Sequence, residues 1–236
     1  MMSALYDQHY ARRYRDRDDE LEAVGSYQEL VQWIGGVCDR FAHPIDVLDL
    51  GCGTGRYFWG LRNVKTLTGL DASAPMLAEA KTPTHADRIR AERIDLVNGD
   101  LSSHQFPGGS FDLVYSIGVL AEHVALNRSL VERVAGWLKP GGRFAFTTVD
   151  PQSPDVPKTA ARQIAAAMLP VVPGGAGRKL HERLMVGGMY GDARWIRRQL
   201  DGVFRIETLE QYQSDVHLHG RCVGQVVGSS GGQVVR

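Results

Sequence analysis

Apolar positions along the chain follow two alternating rhythms. The segments 45–50 (IDVLDL), 66–71 (TLTGLD), 93–100 (RIDLVNGD), 111–116 (FDLVYS) and 143–150 (RFAFTTVD) are short and rich in Val, Leu, Ile, Phe or Thr, which reads as strands. Between them, 54–63 (TGRYFWGLRN), 73–81 (SAPMLAEAK, running on into ADRIRAER at 86–93) and 127–138 (NRSLVERVAGWL) space their apolar residues as helices do. Strands this apolar, each followed by a helical segment, predict a parallel α/β sheet with helices on both faces and right-handed crossovers. The run LKPGGRF (138–144) supplies Pro and two glycines to stop a helix before the fifth strand.

Beyond residue 150 the rhythm changes. Residues 151–190 scatter prolines and glycines around two helical pieces, KTAARQIAAAML and GRKLHERLM, and end at the glycine-rich VGGMYG, which reads as a hinge. DARWIRRQL (192–200) predicts a helix capped by Asp192. FRIETLEQYQ (204–213) and HGRCVGQVV (219–227) predict two final strands forming a hairpin at the sheet edge, and GSSGGQVVR (228–236) a flexible tail. The expected organisation is one domain over 1–227: an N-terminal helical cap (1–42), a core (45–150), a lid (151–190), then the last helix and hairpin (191–227).

The strand–glycine–helix pattern at VLDLGCGTGRY (47–57) predicts a nucleotide-type site at the carboxyl edge of the sheet. A P-loop would need Gly-Lys-Ser/Thr, whereas Gly55 is followed by Arg56 and Tyr57. A dinucleotide fingerprint would need a third glycine where Arg56 stands, which disfavours a nicotinamide oxidoreductase. What remains is Asp49-x-Gly51-x-Gly53-x-Gly55, with backbone free to approach a ligand closely and a carboxylate that would repel a pyrophosphate but tolerate a cation. That combination points to an adenosyl ligand carrying positive charge.

In these residues the chain resembles the class I S-adenosylmethionine-dependent methyltransferases, in their small-molecule, type 11-like branch. VLDLGCGTG is similar to the first motif of that family and LTGLDASAPMLAEAK (67–81) to its second. LVNGDLSSHQFPGGSFDLVYSIGVLAEHV (96–124) resembles its third motif and fourth strand, and LKPGGRFAFTT the run into its fifth. The resemblance is dense over roughly 45–150 and thins on both sides. It implies a doubly wound, Rossmann-like, mostly parallel seven-stranded sheet of order 3-2-1-4-5-7-6, with a helical lid inserted before the last two strands.

The resemblance also implies roles. Asp49, Gly51, Gly53 and Gly55 would line the cofactor, S-adenosyl-L-methionine, and Asp71 would accept the ribose hydroxyls. Ala72 and Met76 would sandwich the adenine, Asp100 would take its amino hydrogens and the Leu101 N–H its ring, with Ser116 and Tyr14 completing the site. Position supports Asp71 independently, since an acid ending the second strand about 20 residues past the loop is placed to grip a ribose. His123 is the catalytic candidate, an imidazole after the fourth strand able to take a proton near neutral pH. Here the chain reads Leu120-Ala121-Glu122-His123, one residue longer than the Leu-Glu-His common in such enzymes.

Other features have plainer readings. Tyr6, Tyr10 and Tyr14 repeat every fourth residue and form one helix face, a segment that similar enzymes fold over the bound cofactor. RRYRDRDDE (12–20) reads as a solvated, self-paired charge cluster. His217, His219 and Cys222 suggest a metal, yet in a continuous strand the two histidines share a face and Cys222 points away, so no metal is expected.

Composition narrows the class. The 236 residues carry no net charge, unlike a nucleic-acid-binding protein, and three cysteines (Cys38, Cys52, Cys222) without a CxxC pair suit free thiols in a reducing compartment. No stretch is apolar enough to span a bilayer. The charged segment from Asp7 to Glu20 is unlike a signal peptide. The Asn/Asp-Pro-Pro-aromatic motif of amino-directed nucleic-acid methyltransferases is absent after the fourth strand. The expected protein is therefore a cytoplasmic enzyme, monomeric or homodimeric, moving a methyl group to an O, N or C atom of a small-molecule acceptor. The alternative is a non-enzymatic S-adenosylmethionine-binding protein or a partner subunit of another methyltransferase. Residues 151–200 hold eight basic residues against three acidic ones beside an apolar AAAMLPVVP, which fits an apolar acceptor with an anionic or polar group.

Overall fold

The computed structural model describes residues 7–121, 123–149, 193–213 and 218–227. Its strands are β1 (Ile45–Leu50), β2 (Val64–Asp71), β3 (Ala91–Asn98), β4 (Phe111–Ser116), β5 (Leu138–Val149), β6 (Phe204–Gln213) and β7 (Leu218–Val226). They form one sheet in the order β3-β2-β1-β4-β5-β7-β6. β1 to β5 run parallel, and β7 enters antiparallel between β5 and β6. This is the expected order and architecture. β4 has a parallel neighbour on each side and is buried at every position, which is why FDLVYS shows no polar alternation, its polar Asp112 and Ser116 standing near the two ends.

The helices are α1 (Gln8–Glu20), α2 (Gly25–Cys38), α3 (Ala74–Glu79), α4 (Arg128–Trp137) and α5 (Ala193–Leu200). One face of the sheet is packed by α2 and α3, with Ile34, Val37 and Leu77 against Val47, Leu67, Leu113 and Tyr115. On the other face α4 and α5 bring Leu130, Val134, Ile196 and Leu200 onto Leu48, Val114, Phe144 and Phe146. Asn127 caps α4 by accepting from the Leu130 N–H at 2.9 Å, and Ser73 caps α3 by accepting from Met76 at 3.3 Å.

The helical spacing of 54–63 does not become an α-helix. After β1 the chain passes through turns and a single 3-10 turn at Phe58–Gly60 before β2. The space a helix would need is taken by α2. A Cβ on Gly60 would lie 2.8 Å from Val31, and one on Gly35 would lie 2.9 Å from the Gly60 carbonyl, so the two segments pack backbone to backbone. The second helical stretch is likewise shorter than its sequence spacing, ending at Glu79 before a 3-10 turn at Ala86–Arg88. β5 begins at Leu138, so the KPGG run stops α4 and already belongs to the strand, with a register shift against β4. The hairpin of β6 and β7 forms as expected. The lid (151–190), Asp192 and the tail (228–236) lie outside the described residues.

Candidate functional site

The carboxyl ends of β1, β2, β3 and β4 share one edge, and the connections diverge there between β1 and β4, the position where open α/β sheets hold ligands. The loop leaving β1 carries Gly51, Gly53 and Gly55 at φ of 79°, 55° and 76°, a region that costs any other residue strain. Space adds a second constraint. A Cβ at Gly51 would stand 2.6 Å from Val119, and one at Gly55 would stand 2.7 Å from Phe58.

Asp71, at the end of β2, shapes this loop. Its Oδ2 accepts the Gly53 N–H at 2.9 Å and its Oδ1 the Ser73 N–H at 2.8 Å. Burial raises its carboxyl above the usual range, opposed by those two N–H groups and by the charge of His123. Asp49 lies deeper and is almost fully buried. Its Oδ2 accepts the Tyr115 hydroxyl at 2.6 Å, and burial pushes its carboxyl up to about 8, against the Tyr115 bond and helped by the charge of Asp71. Cys52 fills the gap beneath, its Sγ 2.9 Å from where a Gly69 Cβ would be, with its thiol pushed well up by burial.

From α3, buried Met76 reaches the loop, with its methyl 3.4 Å from the position of a Gly53 Cβ, while Ala72 is exposed beside it. After β3, residues 100–104 make one helical turn. His104 N–H donates to the Asp100 carbonyl at 2.7 Å, and the Ser102 N–H to the Asp100 side chain at 2.7 Å. Asp100 is exposed, and Leu101 turns its side chain into the core.

Ser116 ends β4 fully buried, its hydroxyl donating to the Leu50 carbonyl at 2.7 Å, so the side chain ties β4 to β1. The chain then doubles back: the N–H groups of His123 and Val124 both donate to the Val119 carbonyl, at 2.8 and 3.1 Å. Within this segment Ala121 is buried at φ 58°, in the left-handed region. His123 is exposed on the same edge as Asp71.

The charge run of α1 is not simply solvated, which corrects the reading from sequence. Asp18 has no exposed surface and accepts from the Thr54 hydroxyl and the Arg56 Nε–H of the glycine loop. Arg56 also lies 4.3 Å from the Tyr14 ring centre, and Tyr14 stacks on Tyr10 at 5.9 Å. Arg15 donates to the Thr82 carbonyl at 3.0 Å, and Asp19 accepts from Thr84 at 2.8 Å. The helix is thus seated on both the loop and the end of α3. Tyr6 lies outside the described residues. Asp18, Thr54 and Tyr115 are site residues that sequence reasoning missed. The only sequence signal for Asp18 is that it lies four residues after Tyr14, on the same helix face.

Cys222 packs into the core beside Phe144 and Phe146, and His219 stands opposite Val149 and Tyr212 in the strand register; His217 lies outside the described residues. Among the described residues, no group of three or more His, Cys, Asp or Glu is placed to hold a metal, and no helix is long and apolar enough to cross a membrane.

Comparison with known proteins agrees with this geometry. A family model described as a methyltransferase domain matches residues 47–142. An uncharacterized methyltransferase of Mycobacterium bovis is 33% identical over 103 residues, covering 43% of this chain and 49% of that protein. The malonyl-[acyl-carrier protein] O-methyltransferase of Enterobacter lignolyticus is 36% identical over 113 residues, covering 47% of this chain and 40% of its own length. The chain therefore spans about half or less of these curated relatives. Among solved structures, the magnesium protoporphyrin IX methyltransferase of Synechocystis with bound SAH superposes with a TM-score of 0.64 at 16% identity, covering 96% of this chain and 98% of that one, a likeness of fold. Loop, strand order and domain match agree: residues 47–142 match a methyltransferase domain, on a sheet with the order expected of the class I S-adenosylmethionine-dependent methyltransferases, and these findings support S-adenosyl-L-methionine as the cofactor.

Proposed function

We propose that the whole chain is a methyltransferase acting on an O, N or C atom of a small-molecule acceptor. The observation that carries this reading is Asp71. Its carboxylate fixes the Gly53 N–H of the loop and keeps lone pairs on the open edge, where two ribose hydroxyls can donate to it. The rest of the edge fits the same ligand. Three left-handed glycines leave a cradle bare of side chains, and Met76 offers an apolar wall to one side. Asp100 and the Leu101 N–H lie farther out, as an acceptor and a donor for a purine edge. Asp49 supplies buried negative potential once ionised, suited to a cationic ligand. Ala72 contributes backbone beside Met76, Ser116 holds the β4 end in place, and Tyr14 closes the loop side through Arg56.

When bound, the cofactor supplies a methyl group already activated on a sulfonium. What the chain must add is alignment and exclusion of water, and alignment alone is worth roughly 7 to 11 kcal/mol of barrier. His123, on the same edge, takes a proton from the acceptor, a contribution of about 10²- to 10⁴-fold. Residues 151–190 lie outside the described residues; from their sequence alone we infer that they select the acceptor, an apolar molecule with an anionic or polar group.

The test is incubation with methyl-labelled cofactor and a metabolite extract, followed by mass spectrometry for labelled small molecules. Labelled products support the reading. Tight cofactor binding with no labelled product from any extract overturns it in favour of a binding protein or a partner subunit.

A further inference from the structure

Arg133 lies on α4, outside every motif discussed above, yet its guanidinium is turned toward the 100–104 turn. Its Nη2 donates to the Leu101 carbonyl at 3.0 Å and its Nη1 reaches the His104 carbonyl at 3.5 Å. The cation lies 5.8 Å from the Trp137 ring centre, and its Nε is buried without a hydrogen-bond partner. An arginine that leaves one N–H unsatisfied while facing two carbonyls is fixed by those carbonyls rather than by solvent.

The carbonyls it faces belong to a short helical turn, whose late carbonyls carry partial negative charge and lack partners of their own. The other end of the turn faces the open edge. There Asp100 accepts the Ser102 N–H, and none of the turn's hydrogen bonds uses the Leu101 N–H. The Ser102 hydroxyl and N–H, and more distantly the charge of Arg133, hold the Asp100 carboxyl below the usual range, so it is an acceptor. Packing alone does not explain the arrangement. Leu101 is already anchored by its buried side chain, and His104 by its ring contact with Phe106, tilted at 57° with centroids 4.6 Å apart. What Arg133 adds is a tether on the carbonyls of Leu101 and His104: it fixes the peptides that follow these two residues, and with them the course of the turn whose first residues carry the Asp100 carboxylate and the Leu101 N–H.

We propose that Arg133 is a positioning residue for purine selection, holding the 100–104 turn so that Asp100 and the Leu101 N–H recognise adenine and reject a 6-oxopurine. This rests on the reading that Asp100 and Leu101 face the adenine. Hypoxanthine carries a carbonyl in place of the amino group and a hydrogen on N1, so it sets an acceptor against Asp100 and a donor against the Leu101 N–H. Both contacts are inverted by that single change in the base.

Calorimetry of the full chain with S-adenosylhomocysteine and with S-inosylhomocysteine tests this without any acceptor. The unaltered protein should prefer the adenine form by about tenfold or more, and Asp100→Ala should lose most of that preference. Arg133→Met should bring the ratio to within about threefold of unity, with Arg133→Lys, a cation able to serve one carbonyl, in between. A role in stability alone would weaken both ligands in proportion and leave the ratio unchanged. Where Arg133→Met does not fold, Arg133→Lys carries the test. A parental ratio in the folded Arg133 variants, with the preference lost in Asp100→Ala, overturns the assignment of Arg133 alone. Equal affinities in the unaltered protein, or a full preference in Asp100→Ala, overturn the adenine reading and the proposal with it.

Discussion

Asp18 and Arg56 form an ion pair that joins α1 to the glycine loop, with the carboxylate wholly shielded from solvent and the guanidinium lying over the Tyr14 ring. Removing one member leaves a covered charge without its partner, whereas replacing both with apolar groups of similar size does not. Asp18→Ala should therefore lower stability by about 3 kcal/mol, and Asp18→Leu combined with Arg56→Met should recover most of that loss. Urea unfolding of the two variants checks this. A loss under about 0.5 kcal/mol for Asp18→Ala would mean that the pair contributes nothing.

Asp71 has two duties, so its removal should be felt twice. Asp71→Ala should weaken S-adenosylmethionine binding by roughly 1.5 to 3 kcal/mol through the lost ribose contacts. It should also loosen the loop, because the Gly53 and Ser73 N–H groups lose their acceptor. Asp71→Asn keeps one oxygen acceptor and should lose less stability. Calorimetry on folded variants decides, and unchanged affinity in both would remove Asp71 from the ribose site.

Much of this was legible in advance. A parallel sheet followed from strands whose apolar runs need cover on both faces, its strand order came only with the resemblance carried by the motifs, and the site edge followed from Asp49, Gly51, Gly53 and Gly55. Helix spacing misled at 54–63, because the apolar pattern of Tyr57, Phe58 and Trp59 serves packing against α2 and nothing local registers that α2 already fills the space. Asp18 could not be told from Asp16 and Asp19 within one charged run, since only the fold decides which of three acids turns inward. Tyr115 read as one more apolar strand residue until its hydroxyl was placed on Asp49.

Asp49 makes stability depend on pH. Its carboxyl is pushed up to about 8 in the folded chain against an ordinary value of 3.8, so the folded state holds a proton that the unfolded state releases. The associated stability is full below the ordinary value and is lost as pH rises through the folded one, at a slope of at most about 1.4 kcal/mol per pH unit. Asp49→Asn keeps a neutral acceptor for Tyr115 and has no such slope. It should gain on the parent steadily between about pH 4 and about pH 8. Denaturant unfolding of both proteins across that window reads the difference, and parallel curves would place the proton elsewhere.

For His123 the expected signature is a split between turnover and binding. His123→Ala should lower turnover by about 10²-fold or more while cofactor affinity changes by less than about 0.5 kcal/mol. Normal turnover in that variant would leave alignment as the whole of the chemistry.

The acceptor should depend on the segment before α5. Replacing residues 155–186 with a short Gly/Ser linker should spare cofactor affinity and abolish methylation of the native acceptor. An unchanged kcat/KM in the shortened protein would take acceptor selection away from this segment.

The insertion of β7 between β5 and β6 has a consequence for the order of folding. Among the described residues β6 has no strand neighbour other than β7, while β1 to β5 can pair among themselves as each emerges. On a ribosome the cofactor half can therefore close early, but β5 keeps a naked apolar edge, and β6 has nowhere to dock, until the chain has been read past Leu218. Such long-range closures are slow, and an open edge of this kind invites pairing with another chain. The vulnerable moment in the life of this molecule is the interval between the synthesis of β5 and the arrival of β7.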